Sequence, residues 1–181
     1  MKSHVMIDLE TAGLSLDSAI LSIGARHFNA AGVCPETFHK FISLKDSLAR
    51  GFTMDADNFR WWLMQSTTAQ VAMYKGLADA EPFTDALLTF SVWLRQFDEP
   101  LIWAKGPEFD IAKLTYAYHK LGTNPPWEDA YAYRRVMSYR NEDRFIQSED
   151  HALTVTQHDA LSDATWQAQT LVNMWRRTGR T

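Results

Sequence analysis

Two carboxylates stand two positions apart near the start of the chain. Asp8 and Glu10 follow an apolar run, residues 5–7, that is typical of a central β-strand. Because side chains alternate along a strand, both carboxylates point to one side of it, and Ile7 and Leu9 point into the core. Such a pair calls for a compensating positive charge, and Mg²⁺ prefers oxygen ligands. A strand end that emerges into solvent, with both acids hydrated, explains the pair equally well.

Further candidate residues occur where helices are predicted to begin. Asp110 follows a short apolar strand across a Gly-Pro loop, at a position where an aspartate also suits the positive end of a helix dipole. His158 precedes a final predicted helix, and Asp163 lies in its first turns. Capping or packing explains each of these three residues when it is taken alone.

The elements that must position these side chains have alternating and helical hydrophobic patterns. Three strands joined by short turns, over residues 3–9, 18–28 and 33–42, predict an antiparallel meander. A further strand is predicted over residues 101–104, and helices over residues 55–64, 67–74, 83–97, 108–121 and 160–176. The polar stretch 129–144 is not assigned. The order predicts the α/β class, with a mixed sheet flanked by helices, in a single domain over residues 1–181.

Composition narrows the class of protein. A formal net charge of −4 argues against extensive nonspecific binding of duplex phosphates. It is compatible with an enzyme that grips a few terminal nucleotides, since bound metal ions add positive charge at the site. The one cysteine, Cys34, excludes an intrachain disulfide and a cysteine-based zinc site. Because no membrane-length apolar run or signal-peptide pattern occurs, we expect a cytoplasmic protein without membrane association.

The order and spacing of the candidate residues are more specific than any residue alone. Asp-x-Glu-Thr-x-Gly lies on the first strand (residues 8–13), Glu-Phe-Asp enters a middle helix (residues 108–110), and His-x-Ala-x-x-Asp-Ala enters the last helix (residues 158–164). With these three motifs the chain resembles the DEDDh 3′–5′ exonucleases of the ribonuclease-H-like superfamily.

Three other segments are similar to the ribonuclease-T-like 3′ exoribonucleases of bacteria and their viruses. They are Trp61-Trp62, the Trp-Ala-Lys-Gly segment of residues 103–106, and the Arg-Arg-Val segment of residues 134–136. Many of those relatives carry His-Asn where this chain has Lys105-Gly106, so substrate contacts there can differ.

The resemblance implies a ribonuclease-H-like fold and a metal-dependent 3′–5′ exonuclease. Its substrate would be the free 3′ end of a single-stranded nucleic acid, with RNA favoured and DNA possible, and its product nucleoside 5′-monophosphates. The resemblance also implies two Mg²⁺ ions, replaceable by Mn²⁺, and is compatible with a homodimer. By the family pattern, Asp8 bridges both ions, Glu10 and Asp163 complete one site, and Asp110 serves the other. His158 would be the general base for the attacking water.

The substrate contacts implied by the resemblance are Thr11, Gly13, Leu14, Trp61, Trp62, Phe109 and Arg135. Because adjacent helical residues do not face the same way, we expect one of the two tryptophans in the core and the other on a base. The sequence does not say which one. Arg135 belongs to a cluster of arginines that either guides the phosphate backbone or is simply solvated.

Three other hypotheses stay open. A catalytically silent module that binds nucleic-acid ends on the same fold would be signalled by loss of a metal acid, and no such acid is missing. A ribonuclease-H-type endonuclease is the second, and His158 placed five residues before Asp163 favours the exonuclease over it. In the third hypothesis, the five candidate residues are only helix caps and surface acids, which requires the match to all three motifs to be accidental. These residues are Asp8, Glu10, Asp110, His158 and Asp163.

Overall fold

The computed structural model describes residues 2–127, 130–132 and 158–179. Its strands are β1 (His4–Thr11), β2 (Ile20–Asn29), β3 (Gly32–Phe41), β4 (Leu101–Ala104) and β5 (Ala130–Ala132). Its helices are α1 (Leu44–Ala49), α2 (Ala56–Leu63), α3 (Thr67–Ala78), α4 (Phe83–Leu94), α5 (Asp110–Lys120) and α6 (Ala160–Thr178).

The strands form one mixed sheet in the order β3-β2-β1-β4-β5. Strands β1, β2 and β3 pair antiparallel, which confirms the predicted meander. Strand β4 runs parallel to β1, and β5 runs parallel to β4. The α/β class and the mixed sheet flanked by helices are therefore confirmed.

Two short elements escaped the sequence analysis, two helices are each three residues shorter than predicted, and α3 extends past its predicted end at residue 74. Helix α1 has six residues and β5 has three, so neither is long enough to show a hydrophobic period. The fourth helix ends at Leu94, because the chain then turns towards β4. The middle helix begins at Asp110, because residues 107–109 form a turn in which Gly106 O accepts the Asp110 N–H.

The sheet separates two apolar layers. On one face, Val5, Ile7 and Leu9 of β1 belong to a large core shared with α4 and α5. On the other face, Met6 belongs to a smaller core formed with α6. Side chains alternate along β1, and its odd-numbered residues are buried under α4 and α5. Asp8 and Glu10 therefore point to the other face, towards α6.

Gly24 of β2 lets the start of α6 lie directly on the sheet. A β-carbon at this position would come within 2.1 Å of the Ala160 carbonyl carbon and 2.2 Å of the Leu161 nitrogen. Gly24 is also the strand partner of Asp8. The absence of a side chain at Gly24 thus brings the first turn of α6 down beside Asp8.

Within the part of the chain that the structure describes, no helix combines the length and apolar character that a membrane span requires.

Candidate active site

Three carboxylates from β1 and α6 meet in one place. Asp8, Glu10 and Asp163 each offer one oxygen, and these oxygens lie within 4.8 Å of one another. Asp163 enters from the first turn of α6, where its backbone N–H bonds to the Asp159 carbonyl at 2.9 Å. A register shift between Glu10 and Thr11 interrupts the pairing of β1 with β2 at this point. Such irregularities re-aim side chains at strand ends and are frequent next to active sites.

A fourth carboxylate comes from the start of α5. Asp110 is buried, and its Oδ1 accepts a hydrogen bond from the backbone N–H of Leu9 at 3.3 Å. Leu9 lies between Asp8 and Glu10, so this bond ties α5 to the acidic end of β1. Four acids from three distant segments of the chain therefore lie around one strand end.

The acids perturb one another strongly. Burial, followed by the charges of Asp110 and Asp163, raises the pKa of Asp8 well above its ordinary value. Burial raises the pKa of Glu10 to about 8, and the charges of Asp163 and Asp159 add to the rise. Burial also raises the pKa of Asp110 to about 7 and that of Asp163 above its usual range. Clustered carboxylates with raised pKa values need a positive partner in order to ionise together.

Gln167 belongs to this cluster and was missed in the sequence. Its Nε2 donates to Asp8 Oδ1 at 2.7 Å, and its side chain is buried. The signal that could have revealed it is its spacing, four residues after Asp163 on the same helix, which puts both side chains on one face. Gln167 Oε1 has no hydrogen-bond partner among the described residues, so this amide has capacity for a further polar contact.

His158 is held beside the acids in an unusual backbone conformation. Its φ angle of 64° lies in the left-handed region, which is rare for a residue with a side chain. Its backbone N–H donates to Asp163 Oδ2 at 3.2 Å, and this bond opposes the rise in the Asp163 pKa. Strain of this kind is frequent at functional sites.

Trp61 and Trp62 both pack against His158, at ring-centroid distances of 4.7 and 6.1 Å. Trp62 is 9% exposed, and its Nε1 donates to the Thr11 carbonyl at 3.2 Å. Trp61 is 42% exposed. One tryptophan is therefore buried, as expected from their adjacency, and the structure identifies it as Trp62. Trp61 presents a free aromatic surface next to His158.

The turn after β1 is held closely by its own residues. Thr11 is buried, and its hydroxyl donates to the Gly13 carbonyl at 2.9 Å. A β-carbon on Gly13 would lie 2.5 Å from Ser18 Oγ and 2.9 Å from Asp55 Cβ. Both residues therefore have a packing role, while Leu14 next to them is 77% exposed.

A buried lysine joins α5 to the same turn. Lys113 Nζ donates to the Ser15 carbonyl and lies 4.7 Å from the ring centroid of Phe109. Phe109 immediately precedes Asp110 and is partly buried. The contact with Lys113 anchors Phe109 at the start of α5.

One further residue of the predicted motifs, Lys105, lies at the edge of the site. Lys105 is exposed, close enough to lower the pKa of Asp163, and its Nζ lies 5.9 Å from the Trp166 ring centroid. Arg135 and the other arginines of its cluster lie outside the described residues.

The donor set fits divalent cations. Asp8, Glu10 and Asp163 supply hard oxygen ligands, which Mg²⁺ and Mn²⁺ prefer over nitrogen and sulfur. A dication would relieve the mutual repulsion that raises their pKa values. Asp110, bound to the backbone of the same strand, supplies a further carboxylate beside them.

Two solved structures similar to this one are nucleases. Cell-death related nuclease 4 (CRN-4) superposes with a TM-score of 0.68 at 12% sequence identity, covering 98% of this chain and 64% of the CRN-4 chain. The chain therefore spans less than two thirds of the length of that nuclease. Exonuclease X, solved in complex with 5′ overhanging duplex DNA, gives a TM-score of 0.59 at 17% identity and covers 98% and 93% of the two chains. At these identities the likeness establishes the fold alone, which this chain shares with both nucleases.

The sequence itself identifies the family. The model of the Rv2179c-like 3′–5′ exoribonuclease domain matches residues 3–175, and this chain belongs to that family. The motifs predicted a 3′–5′ exonuclease family, and the family match confirms that prediction. No curated protein matches its sequence significantly.

Proposed function

We propose that this chain removes nucleotides one at a time from the 3′ end of single-stranded RNA, using two divalent cations and releasing nucleoside 5′-monophosphates. The observation that carries the proposal is the convergence of Asp8, Glu10 and Asp163 within 4.8 Å, with Asp110 bound to the same strand end. The family's activity supports RNA as the preferred substrate.

The four carboxylates would hold the cations, Mg²⁺ or Mn²⁺, with Asp8 between the other ligands. Two such cations neutralise the charge on the scissile phosphate and stabilise both the attacking and the leaving oxygen. Gln167 keeps one oxygen of Asp8 in a fixed orientation through its 2.7 Å hydrogen bond. Support of this kind around ligand residues typically contributes to both cation affinity and rate.

His158 would serve as the general base. It lies next to the acids through its bond to Asp163, and the two tryptophan rings fix its imidazole. A water oxygen attacks the scissile phosphorus and its proton passes to the imidazole, while the bond to the 3′ oxygen of the penultimate nucleotide breaks. The released nucleotide keeps its 5′-phosphate.

Trp61 and Leu14 would grip the terminal bases. Both side chains are substantially exposed, and Trp61 packs beside His158, where the 3′ nucleotide must lie. Stacking on an aromatic ring contributes about 1–3 kcal/mol per base and does not depend strongly on base identity. Thr11, Gly13 and Trp62 would support this turn from beneath, through the hydrogen bonds to the Thr11 and Gly13 carbonyls.

The experiment that tests the proposal is hydrolysis of a 5′-labelled RNA oligonucleotide with Mg²⁺ or Mn²⁺, alongside the matched DNA. Asp8→Ala and Asp163→Asn should abolish hydrolysis while the fold is retained. His158→Ala should lower the rate by about 10²- to 10⁴-fold, the usual contribution of a general base, and keep cation binding. Asp85→Asn, at an exposed acid of α4, is the matched control and should behave as the native chain.

Substrate design separates the alternatives. A circular single-stranded RNA or one with a blocked 3′ terminus should resist hydrolysis, whereas an endonuclease would cut the circle. Undiminished cleavage by Asp8→Ala would remove the metal hypothesis. Tight binding of RNA ends without any metal-stimulated hydrolysis would favour the silent binding module. Faster hydrolysis of the DNA oligonucleotide would overturn the preference for RNA.

A further inference from the structure

A second cluster of metal-ligating side chains lies on the β2–β3 hairpin. His27 of β2 and Cys34 and Glu36 of β3 each offer one donor atom, and these atoms lie within 4.8 Å of one another. His27 Nδ1 is 3.1 Å from Glu36 Oε2. The sequence led us to expect no cysteine-based zinc site, because only one thiol is present. The fold, however, adds an imidazole and a carboxylate to that thiol.

A strand irregularity creates this cluster. Arg26 pairs with Thr37 and Phe28 pairs with Val33, so three residues of β3 lie opposite His27 alone. The extra length turns Cys34 and Glu36, two positions apart, to the same side as His27. An ordinary ion pair between His27 and Glu36 needs no such bulge, and bulges are over-represented where a side chain must be re-aimed.

The surroundings of the cluster resemble the support that metal ligands have in proteins. His27 Nε2, the ring nitrogen that points away from the cluster, is 3.2 Å from Ser3 Oγ. The His27 ring also stacks on Phe97 at a centroid distance of 4.2 Å. A hydrogen bond to the second nitrogen of a ligating histidine is nearly universal, because it fixes the ring orientation. Asn29 Nδ2 donates to Cys34 Sγ at 3.4 Å and orients the thiol in the same way.

The cluster is separate from the catalytic acids and is accessible. His27 is the strand partner of Val5, whose side chain faces the core under α4 and α5, whereas Asp8 faces α6. The two clusters therefore lie on opposite faces of the sheet. The His27 and Glu36 side chains are 13% and 44% exposed, so a cation can enter and water can complete its coordination.

We propose that His27, Cys34 and Glu36 bind one Zn²⁺ ion on the β2–β3 hairpin. Zn²⁺ binds cysteine sulfur, histidine nitrogen and carboxylate oxygen in tetrahedral sites, with nitrogen and oxygen at about 2.0–2.2 Å and sulfur at about 2.3 Å. Donor atoms in such a tetrahedron are about 3.3–3.6 Å apart, so small side-chain rotations suffice to close the cluster around the ion. Mg²⁺ does not compete, because it avoids thiolate ligands. The bound ion would tie the edge strand β3 to β2.

Cobalt provides a direct spectroscopic test, because a Co²⁺–thiolate bond gives a charge-transfer absorption in the near ultraviolet. The chain has one cysteine, so this band reports Cys34 and no other residue. The reduced full-length chain, with excess Mg²⁺ present, should show the band at one Co²⁺ per chain, and Zn²⁺ should displace it. Cys34→Ser should abolish the band, and His27→Gln or Glu36→Gln should weaken Co²⁺ binding at least about tenfold, the usual loss on removing a ligand or its support.

Two controls keep this inference independent of the proposed function. Asp8→Asn should retain the band, and Cys34→Ser should retain Mg²⁺-dependent hydrolysis. In the native chain, Zn²⁺ should also slow alkylation of the Cys34 thiol, and Glu36→Gln should reduce that protection. The absence of a charge-transfer band, or Zn²⁺ affinity that is unchanged in Cys34→Ser, would overturn the proposal.

Discussion

Replacing Gly24 with alanine should damage catalysis without touching an acidic residue. The new β-carbon would lie 2.1–2.3 Å from backbone atoms of Ala160 and Leu161, at the start of α6. These obstructing atoms belong to the backbone, so no side-chain rotation can relieve the overlap. The helix start must therefore move away from β2, and Asp163, in the first turn of α6, must move with it.

The size of this movement follows from the distances. Ordinary van der Waals contact begins at 3.4 Å, so the closest pair must separate by about 1.3 Å from 2.1 Å. A displacement of about 1 Å at a catalytic constellation can lower the rate by about 10²-fold. Overpacking also costs about 1–3 kcal/mol of stability. We expect a loss of about 10² in turnover, together with weaker Mg²⁺ activation, because Asp163 moves away from Asp8 and Glu10.

The assay is Mg²⁺-dependent hydrolysis of a 5′-labelled RNA, with thermal unfolding measured on the same samples. Gly76→Ala is the matched control, since its β-carbon would lie 2.3 Å from the Phe41 ring, where α3 packs on β3. That variant should lose stability but keep its turnover. Native turnover and Mg²⁺ dependence in Gly24→Ala would refute the reasoning, as would an equal loss of turnover in Gly76→Ala.

Three further predictions concern the carboxylates of the candidate active site and the residues next to them. In chelator, the free energy of unfolding attributable to Glu10 should fall as the pH rises from about 4.5 to about 8, because the folded state raises its pKa to about 8 and so binds more protons than the unfolded chain. Thermal unfolding of the native chain and of Glu10→Gln at pH 5 and 8 measures this pH dependence. The native chain should lose more stability between the two pH values than Glu10→Gln does, and Mg²⁺ should abolish the difference between them. A smaller loss in the native chain than in Glu10→Gln would contradict the prediction. Gln167→Leu removes the hydrogen bond to Asp8, so Mg²⁺ activation should require about 10- to 100-fold more cation, and an unaltered Mg²⁺ titration would argue against this role. Trp61→Ala should raise KM by about 5- to 150-fold, the equivalent of 1–3 kcal/mol, whereas Trp61→Phe should retain most of the affinity in steady-state kinetics; equal losses in both variants would speak against stacking.

Much of the fold could be predicted from the sequence because apolar runs and hydrophobic periods are local signals. The apolar run of β1 and the alternation of its side chains predicted the face to which Asp8 and Glu10 point. The helical period after residue 160 predicted the element that carries Asp163. Helix α1 and strand β5 left no such signal, since six and three residues are too few to show a hydrophobic period.

The site could be predicted only in part, because its remaining features depend on contacts between segments that are distant in the chain. Adjacency in the sequence predicted that one tryptophan would be buried, but only the packing against Thr11 identified it as Trp62. Gln167 carried a helical spacing signal, yet its meaning depended on knowing that α6 lies over Asp8. That placement in turn depends on Gly24, whose need for a close backbone approach cannot be recognised until both elements are in position.

The order and spacing of the motifs, through their resemblance to a known family, predicted which residues form the site. Periods of two and 3.6 residues predicted the strand and helices that carry them and the side of β1 that Asp8 and Glu10 occupy. The tertiary structure alone decided how closely those elements approach and which side chains meet. The bulge opposite His27 shows why, since register shifts arise from the pairing of two strands and not from either strand alone.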